Sequence, residues 1–225
     1  MKRILAAIIA AALLLSGCTS ASRPAESAPP TGTPSPSPTP IVTPTPEPEP
    51  ADGELVLVRD YIPGIFIDLK YATTDNFTGR VIYDSDEAYL RYGTVKKLLC
   101  AQNELSGRGL SLKIWDAYRP VSAQFKLWEI CPNPVYVSDP NNGYSKHSRA
   151  NTVDITLVTD TGESISMPSG FDDFTSLADR DYSDVSAEAA ENARLLESIM
   201  VENGFVPYSG EWWHYSDSVA YDVYG

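Results

Sequence analysis

The chain contains only two histidines, and each has a carboxylate close by in the sequence. His147 precedes Asp154 by seven residues, and His214 follows Glu211 by three. Two imidazoles and one carboxylate are a typical ligand set for catalytic Zn²⁺, because three protein ligands leave one coordination position for water. A second carboxylate can then serve as the base for that water. We therefore consider a zinc site for hydrolysis.

Each pair of residues also has a simpler interpretation. Asp154 lies between Val153 and Ile155 in an apolar run, so it either points outward or is buried with a partner, which could be an arginine or a backbone group instead of a metal. Glu211 and His214 flank two tryptophans, as an aromatic core strand would. Residues three apart in a regular strand face opposite ways, so these two side chains reach one centre only if the strand bends or bulges.

Covalent catalysis is less well supported by the sequence. Ser145 lies near a histidine, but the chain has no Gly-x-Ser-x-Gly motif. Cys100 and Cys131 lie in or just after helical segments without a neighbouring base. Metal-dependent hydrolysis therefore remains the better interpretation.

Arg119 supplies a cation at the end of a predicted strand. It precedes Pro120, which disfavours a helical conformation for the arginine and holds it extended. Its planar guanidinium suits a carboxylate or a developing oxyanion, although an ion pair with one of the many acidic residues would explain it as well.

The elements that must position these residues belong to an α+β fold, with a small, mainly antiparallel sheet flanked by about three helices. Periodicity and turn residues predict strands at 55–58, 64–71, 110–118, 153–158, 205–207 and 212–215, and helices at 86–105, from Pro120 to before Pro132, and at 186–203. The last helix has the clearest signals, with a serine cap at Ser186 and Gly204 after its end.

The N-terminal part of the chain has a different composition. Residues 1–18 have a charged start, an apolar run and Leu15-Ser16-Gly17-Cys18, which resembles a bacterial lipobox with Cys18 as the lipidated residue. Residues 19–52 hold eleven of the eighteen prolines and predict a disordered tether. Residues 53–225 suit one domain with a sizeable core, which we predict to be the catalytic domain. These features predict an extracytoplasmic protein held at the bacterial cell membrane by its lipid anchor.

Charge and cysteine content restrict the partners. The net charge is −13, to which the leader contributes +2 and the tether −3, so the domain carries −12. This negative charge argues against nucleic acid and against direct contact with an anionic membrane. Cys100 and Cys131 could pair in an exported protein, or remain as thiols. The sequence leaves the oligomeric state open.

Several separated motifs resemble the zinc peptidases that cut D-alanine-containing peptides of the bacterial cell wall, and most closely their VanX-type D-alanyl-D-alanine dipeptidases. The resemblance covers nearly all of residues 53–225. The motifs are Ser145-x-His147-(x)6-Asp154, Glu211-Trp-Trp-His214, the segment from Asp68 to Gly79, Trp115-Asp-Ala-Tyr-Arg119-Pro120, Ser148-Arg149 and Phe171-Asp172.

The resemblance implies a role for each matching residue. His147, Asp154 and His214 would bind one Zn²⁺, with the zinc site at the sheet. Glu211 would be the catalytic base, and Arg119 would stabilise the oxyanion. Tyr71, Ser145 and Asp172 correspond to substrate-binding positions, and Asp172 suits the free ammonium of a dipeptide.

The resemblance also implies a function, hydrolysis of D-alanyl-D-alanine to two D-alanines. The alternatives are a D,D-carboxypeptidase acting on cell-wall stem peptides and a zinc-containing binding module without catalysis. The chain departs from the family at Ala150 and Thr152, where glycine and alanine are usual. The leader is a larger departure, because an exported enzyme does not meet a cytoplasmic dipeptide pool. It favours turnover of cell-wall peptides outside the membrane.

Overall fold

A computed structural model describes residues 48–225, so Cys18 and most of the predicted tether lie outside the described residues. The elements, in chain order, are β1 Leu55–Leu57, α1 Val58–Tyr61, β2 Phe66–Ile67, β3 Tyr89–Arg91, α2 Tyr92–Ser106, β4 Leu110–Asp116, α3 Val121–Ile130, β5 Thr152–Thr159, α4 Ala187–Glu202, β6 Phe205–Tyr208 and β7 Glu211–Asp217. Short 3₁₀ helices span Lys70–Ala72, Lys146–Arg149 and Ser176–Ala178.

The main sheet has five strands in the order β2-β4-β5-β7-β6. Its pairs are antiparallel except for β2 and β4, which run parallel, and β1 and β3 form a separate two-stranded sheet. Residues 48–225 also contain four α-helices, of which the first is only one turn long. The predicted α+β class with a mainly antiparallel sheet is confirmed.

The central strands are the rigid base of the fold. Strand β5 is buried along all of its length except the last residue, since β4 and β7 flank it and side chains pack on both faces. Helix α2 contacts β4, α4 contacts β6, and the two helices contact each other. Their apolar faces contribute Leu98, Leu105 and Leu196, all fully buried, to one core. Residues on β5 and β7 are therefore held in fixed positions.

Tertiary pairing changed several predicted boundaries. The helix expected from residue 86 begins at Tyr92, because Tyr89–Arg91 pairs with β1 as a strand. The strand expected at 64–71 is reduced to Phe66–Ile67. Helix α4 has the predicted ends: the Ser186 hydroxyl accepts from the Ala189 N–H at 3.1 Å, and Gly204 has a positive φ of 85°.

Residues 48–52, at the end of the predicted tether, lie against the domain. The Tyr92 hydroxyl donates to Glu49 at 2.5 Å, and the Lys96 ammonium lies 2.6 Å from an Asp52 carboxylate oxygen.

Cys100 and Cys131 are free thiols, so the disulfide considered above does not form here. No helix within residues 48–225 has the length and apolar character needed to cross a membrane.

Candidate metal centre

The three predicted ligands lie together at the centre of the sheet. Asp154 on β5 is the direct cross-strand partner of His214 on β7, which places both side chains on one face of the sheet. His147 approaches from the 3₁₀ helix that precedes β5. One ligand atom from each residue lies within 4.8 Å of the others. The structure therefore brings together residues that are up to 67 positions apart in the chain.

The distances between the donor atoms suit a tetrahedral metal ion. Asp154 Oδ1 is 2.9 Å from His214 Nδ1, and Asp154 Oδ2 is 3.3 Å from His147 Nε2. The two imidazole nitrogens are 3.4 Å apart. Ligands about 2.0–2.1 Å from a tetrahedral Zn²⁺ are separated from each other by about 3.3 Å. Donor type and spacing both fit zinc.

A bulge in β7 brings Glu211 to the same place. Pro207 pairs with Tyr215, but the next residue of β6, Tyr208, pairs with Glu211. One step along β6 therefore corresponds to four along β7. In a regular strand the Glu211 and His214 side chains would point to opposite faces, but this irregularity brings them to the same side. A Glu211 carboxylate oxygen lies 3.4 Å from His214 Nδ1. The bend that the sequence required is present.

Backbone groups set the orientation of His147. Its Nδ1 donates to the Ala117 carbonyl at 2.9 Å, which leaves Nε2 as the ligand atom. The Ser145 hydroxyl accepts from the His147 N–H at 3.3 Å and caps the 3₁₀ helix. The Arg119 N–H donates to the His147 carbonyl at 3.2 Å. Ser145 thus lies beside the metal ligands, where its hydroxyl has a structural role in the turn.

Ala150 ends this 3₁₀ helix in the left-handed region, with φ of 58° and ψ of 28°. Glycine adopts this conformation without steric penalty, whereas alanine pays a cost because its Cβ is close to the backbone. This left-handed conformation explains why glycine is usual at this position in the family that the sequence resembles. Ala150 keeps the turn between His147 and β5 despite its methyl group.

The buried charges at the centre influence each other. Burial alone would raise the pKa of Asp154, but the two imidazoles more than offset it and hold that pKa below its usual range. Burial lowers the pKa of His147, whereas the carboxylates of Asp154 and Asp116 raise it, with a net increase. Burial and the nearby Asp154 charge raise the pKa of Glu211. A carboxylate with a raised pKa is suited to taking and returning a proton near neutral pH.

Asp116 is a functional residue that the sequence analysis missed. It is fully buried and accepts from Arg119 Nε at 3.1 Å and Nη2 at 2.6 Å. The Tyr83 hydroxyl donates to it at 2.5 Å. Its carboxylate also lies 3.6 Å from His147 Nδ1. The sequence signal for Asp116 is its position three residues before Arg119 at the end of a strand. An ion pair on the protein surface has the same spacing, so this signal did not distinguish a buried pair.

Arg119 is held from several sides and still has free donors. Its Nη1 donates to Gln124 at 3.0 Å, and its guanidinium carbon lies 5.1 Å from the centre of the Tyr71 ring. A guanidinium has five N–H groups, and contacts among the described residues use three of them. One N–H on each terminal nitrogen is available to a substrate oxygen.

Replacement of Asp116 by asparagine should destabilise the domain. The change keeps the shape but leaves the buried Arg119 cation without its counter-charge, which costs about 3–5 kcal/mol for a buried ion pair. The free energy of unfolding in urea measures the effect. Asp84→Asn is the matched control, because Asp84 is 97% exposed and pairs with Lys126 at 3.4 Å, so we expect little change. Equal effects of the two variants would contradict this role for Asp116.

Tyr71 and Asp172 form a second polar pair on the other side of Arg119. The Tyr71 hydroxyl donates to Asp172 Oδ2 at 2.7 Å. Burial raises the pKa of Asp172 to about 7, although the Tyr71 hydrogen bond opposes this increase. Asp172 has a positive φ of 52°, a left-handed backbone conformation in which aspartate is one of the enriched residue types. The Phe171 ring packs on Tyr71 and Trp115 beside it.

These features define the class of the protein. Two imidazoles and a carboxylate are placed to hold a metal ion, another carboxylate lies beside one of the imidazoles, and a cation with free donors is fixed nearby. This is the arrangement of a single-zinc hydrolase, because a purely structural zinc site has four protein ligands and needs no adjacent base.

Comparison with known proteins gives the family. The chain matches the peptidase M15 family model, described as D-ala-D-ala dipeptidase, over residues 51–222. It is 40% identical over 162 residues to the D-alanyl-D-alanine dipeptidase of Escherichia coli K12, covering 72% of this chain and 83% of that protein. It is 36% identical over 176 residues to the dipeptidase of the same name from Enterococcus faecium, covering 69% and 87%. The chain belongs to the M15 D-Ala-D-Ala dipeptidase family.

A solved structure described as VanYB in complex with D-Alanine-D-Alanine is also similar, with a TM-score of 0.40 and 16% sequence identity. The match covers 60% of this chain and 75% of that chain.

Proposed function

We propose that this protein is a zinc dipeptidase that hydrolyses D-alanyl-D-alanine to two D-alanines. The observation that carries the proposal is the convergence of His147, Asp154 and His214 with Glu211 3.4 Å from one of them. Relatives at 36–40% identity, which this chain matches over most of their length, are D-alanyl-D-alanine dipeptidases and support the choice of substrate.

Each residue has a separate task in this reaction. Zinc, when bound, would lower the pKa of a water molecule and polarise the peptide carbonyl. Glu211 takes the proton from the attacking water and returns it to the departing amine. Arg119 directs its free N–H groups at the carbonyl oxygen as negative charge develops there, and Asp116 keeps the guanidinium in place.

We assign binding of the substrate ammonium to Asp172. Its carboxylate is buried with Tyr71 as partner, and a cation is the ligand that would favour its charged form in this apolar surrounding. Because the ammonium of a dipeptide is one residue from the scissile bond, this contact selects dipeptides over longer chains. Tyr71 positions the carboxylate, and Ser145 lines the site from the turn that carries His147.

A direct comparison of substrates tests the function. The purified full-length protein, with its zinc content measured, is offered D-Ala-D-Ala and a cell-wall pentapeptide stem in parallel, and released D-alanine is quantified. We expect release from the dipeptide. Release from the pentapeptide alone would identify a D,D-carboxypeptidase, and no release with zinc bound would favour a binding module.

Asp172→Asn should raise KM for D-Ala-D-Ala by about 10–100-fold with a smaller change in kcat, because a hydrogen bond to a charged group contributes about 1.5–3 kcal/mol. The variant should also lose the discrimination between D-Ala-D-Ala and its N-acetylated form, which lacks the ammonium. Asp173→Asn is the matched control, because the Asp173 carboxylate accepts from the Thr175 N–H and hydroxyl within its own loop. Unchanged discrimination in Asp172→Asn would refute the assignment.

We further propose that the enzyme acts outside the cell membrane, held there by a lipid on Cys18, in turnover of cell-wall peptides. The lipobox-like segment and the proline-rich residues that follow it support this location. Labelled palmitate should be incorporated into the full-length protein in cells and not into Cys18→Ser. Equal labelling of both proteins, or of neither, would count against the anchor.

A further inference from the structure

Arg180 lies after the 3₁₀ helix Ser176–Ala178 and has no role in the chemistry described above. Its side chain is only 10% exposed. The Nε atom donates to the Tyr208 carbonyl at 2.8 Å, and Nη2 donates to the His214 carbonyl at 3.2 Å. One guanidinium therefore bridges the backbones of β6 and β7.

The two carbonyls lie at the β7 bulge. Tyr208 is the residue of β6 at which the register shifts, and His214 is the metal ligand within the surplus residues of β7. A bulge interrupts the ladder of hydrogen bonds between the strands, so carbonyls at the bulge accept from other donors. Arg180 supplies two donors in a planar fork with a fixed spacing. Its own N–H also donates to the Ser209 carbonyl at 3.3 Å, in the turn between the strands.

The guanidinium is itself fixed from the opposite side. Its Nη1 donates to Glu197 on α4 at 2.9 Å and to the Tyr215 hydroxyl at 3.1 Å. The Tyr215 ring lies 4.6 Å from the guanidinium carbon. Because α4 packs on the sheet, these contacts connect the bulge to the core of the domain. A lysine could not reproduce them, since an ammonium is a single point of charge.

We propose that Arg180 is a positioning residue of the metal centre, which sets zinc affinity by holding the bulged backbone of β7. It acts through the His214 peptide group, whose position determines where the imidazole meets the Asp154 and Glu211 carboxylates. The inference rests on the zinc site that also underlies the proposed function.

Zinc affinity of the full-length protein, measured by chelator competition, tests the proposal. Arg180→Lys and Arg180→Gln should bind zinc about 10–100-fold more weakly than the wild type, the usual effect of losing an outer partner of a metal ligand. The visible absorption spectrum of the Co²⁺-substituted variants should also change. Glu197→Gln is the matched control: it removes the negative charge beside Arg180, while the amide oxygen can still accept from Nη1 and both carbonyl contacts remain, so zinc affinity should stay within about twofold.

The outcomes separate this proposal from the proposed function. If the wild type itself does not bind zinc, the dipeptidase proposal fails. If the wild type binds zinc and the folded Arg180 variants match it in affinity and Co²⁺ spectrum, only the role of Arg180 is refuted. Circular dichroism of the metal-free proteins establishes folding. Loss of the fold in both Arg180 variants would also overturn the proposal, because Arg180 would then be needed for the domain as a whole.

Discussion

Glu211→Gln is expected to lower kcat for D-Ala-D-Ala by about 10²–10⁴-fold while zinc content stays at the wild-type level. Glutamine keeps the size and polarity of the side chain but cannot take a proton. Glu211 lies beside the three-residue metal cluster but is not part of it. The substitution should therefore remove the catalytic base and leave zinc binding intact. Steady-state kinetics and zinc analysis of the same sample measure the two effects.

The control for this variant is Glu188→Gln, an exposed position in the first turn of α4 with the same change of charge. It should have wild-type kinetics. Full turnover by zinc-loaded Glu211→Gln would contradict the assigned role of Glu211. A loss of zinc would show instead that Glu211 is a ligand.

His147→Ala is expected to abolish both zinc retention and activity. The change removes one of three protein ligands, so zinc affinity should fall by more than the roughly 100-fold that bounds the loss of an outer partner. It also removes the donor to the Ala117 carbonyl, which loosens the turn before β5. Chelator competition gives the affinity, and D-alanine release gives the activity.

Wild-type protein stripped of metal by a chelator is the comparison for His147→Ala. Both samples should be inactive, but added zinc should restore only the wild type. Circular dichroism separates the loss of a ligand from unfolding. If the variant bound zinc with wild-type affinity, His147 would not be a ligand, and the three-residue centre would be wrong.

The residues around Arg119 form one continuous set of contacts. Tyr83 donates to Asp116, Asp116 binds Arg119, Arg119 lies over the Tyr71 ring, and Tyr71 donates to Asp172. The proposed oxyanion donor and the proposed ammonium acceptor are thus connected through buried side chains. Such fixed surroundings allow a site to act without reorganising during the reaction.

Local signals were sufficient for much of the fold. Helix α4 could be predicted with its ends, because Ser186 and Gly204 act within one turn of the helix. The start of α2 could not, because β3 becomes a strand only by pairing with β1, more than 30 residues earlier. The parallel pairing of β2 with β4 has the same origin, since it depends on contacts between distant segments.

The sequence by itself determined the chemistry of the site. The scarcity of histidine and the carboxylates near both imidazoles marked the three residues of the metal cluster and Glu211 as candidates, and the family resemblance assigned their roles, whereas Asp116 was missed. These signals are local, because ligand type and spacing follow from what zinc and a base require.

Only the tertiary structure decided how those residues meet. The β7 bulge, which allows Glu211 and His214 to share one centre, depends on pairing with β6. In the sequence, Asp116 and Arg119 have the spacing of an ordinary surface ion pair. Only the tertiary structure shows that the Asp116 side chain is fully buried. Arg180 is 34 residues from the His214 carbonyl that it contacts. Hydrogen bonds between distant segments form only when packing brings the segments together, so sequence spacing carries no signal for them.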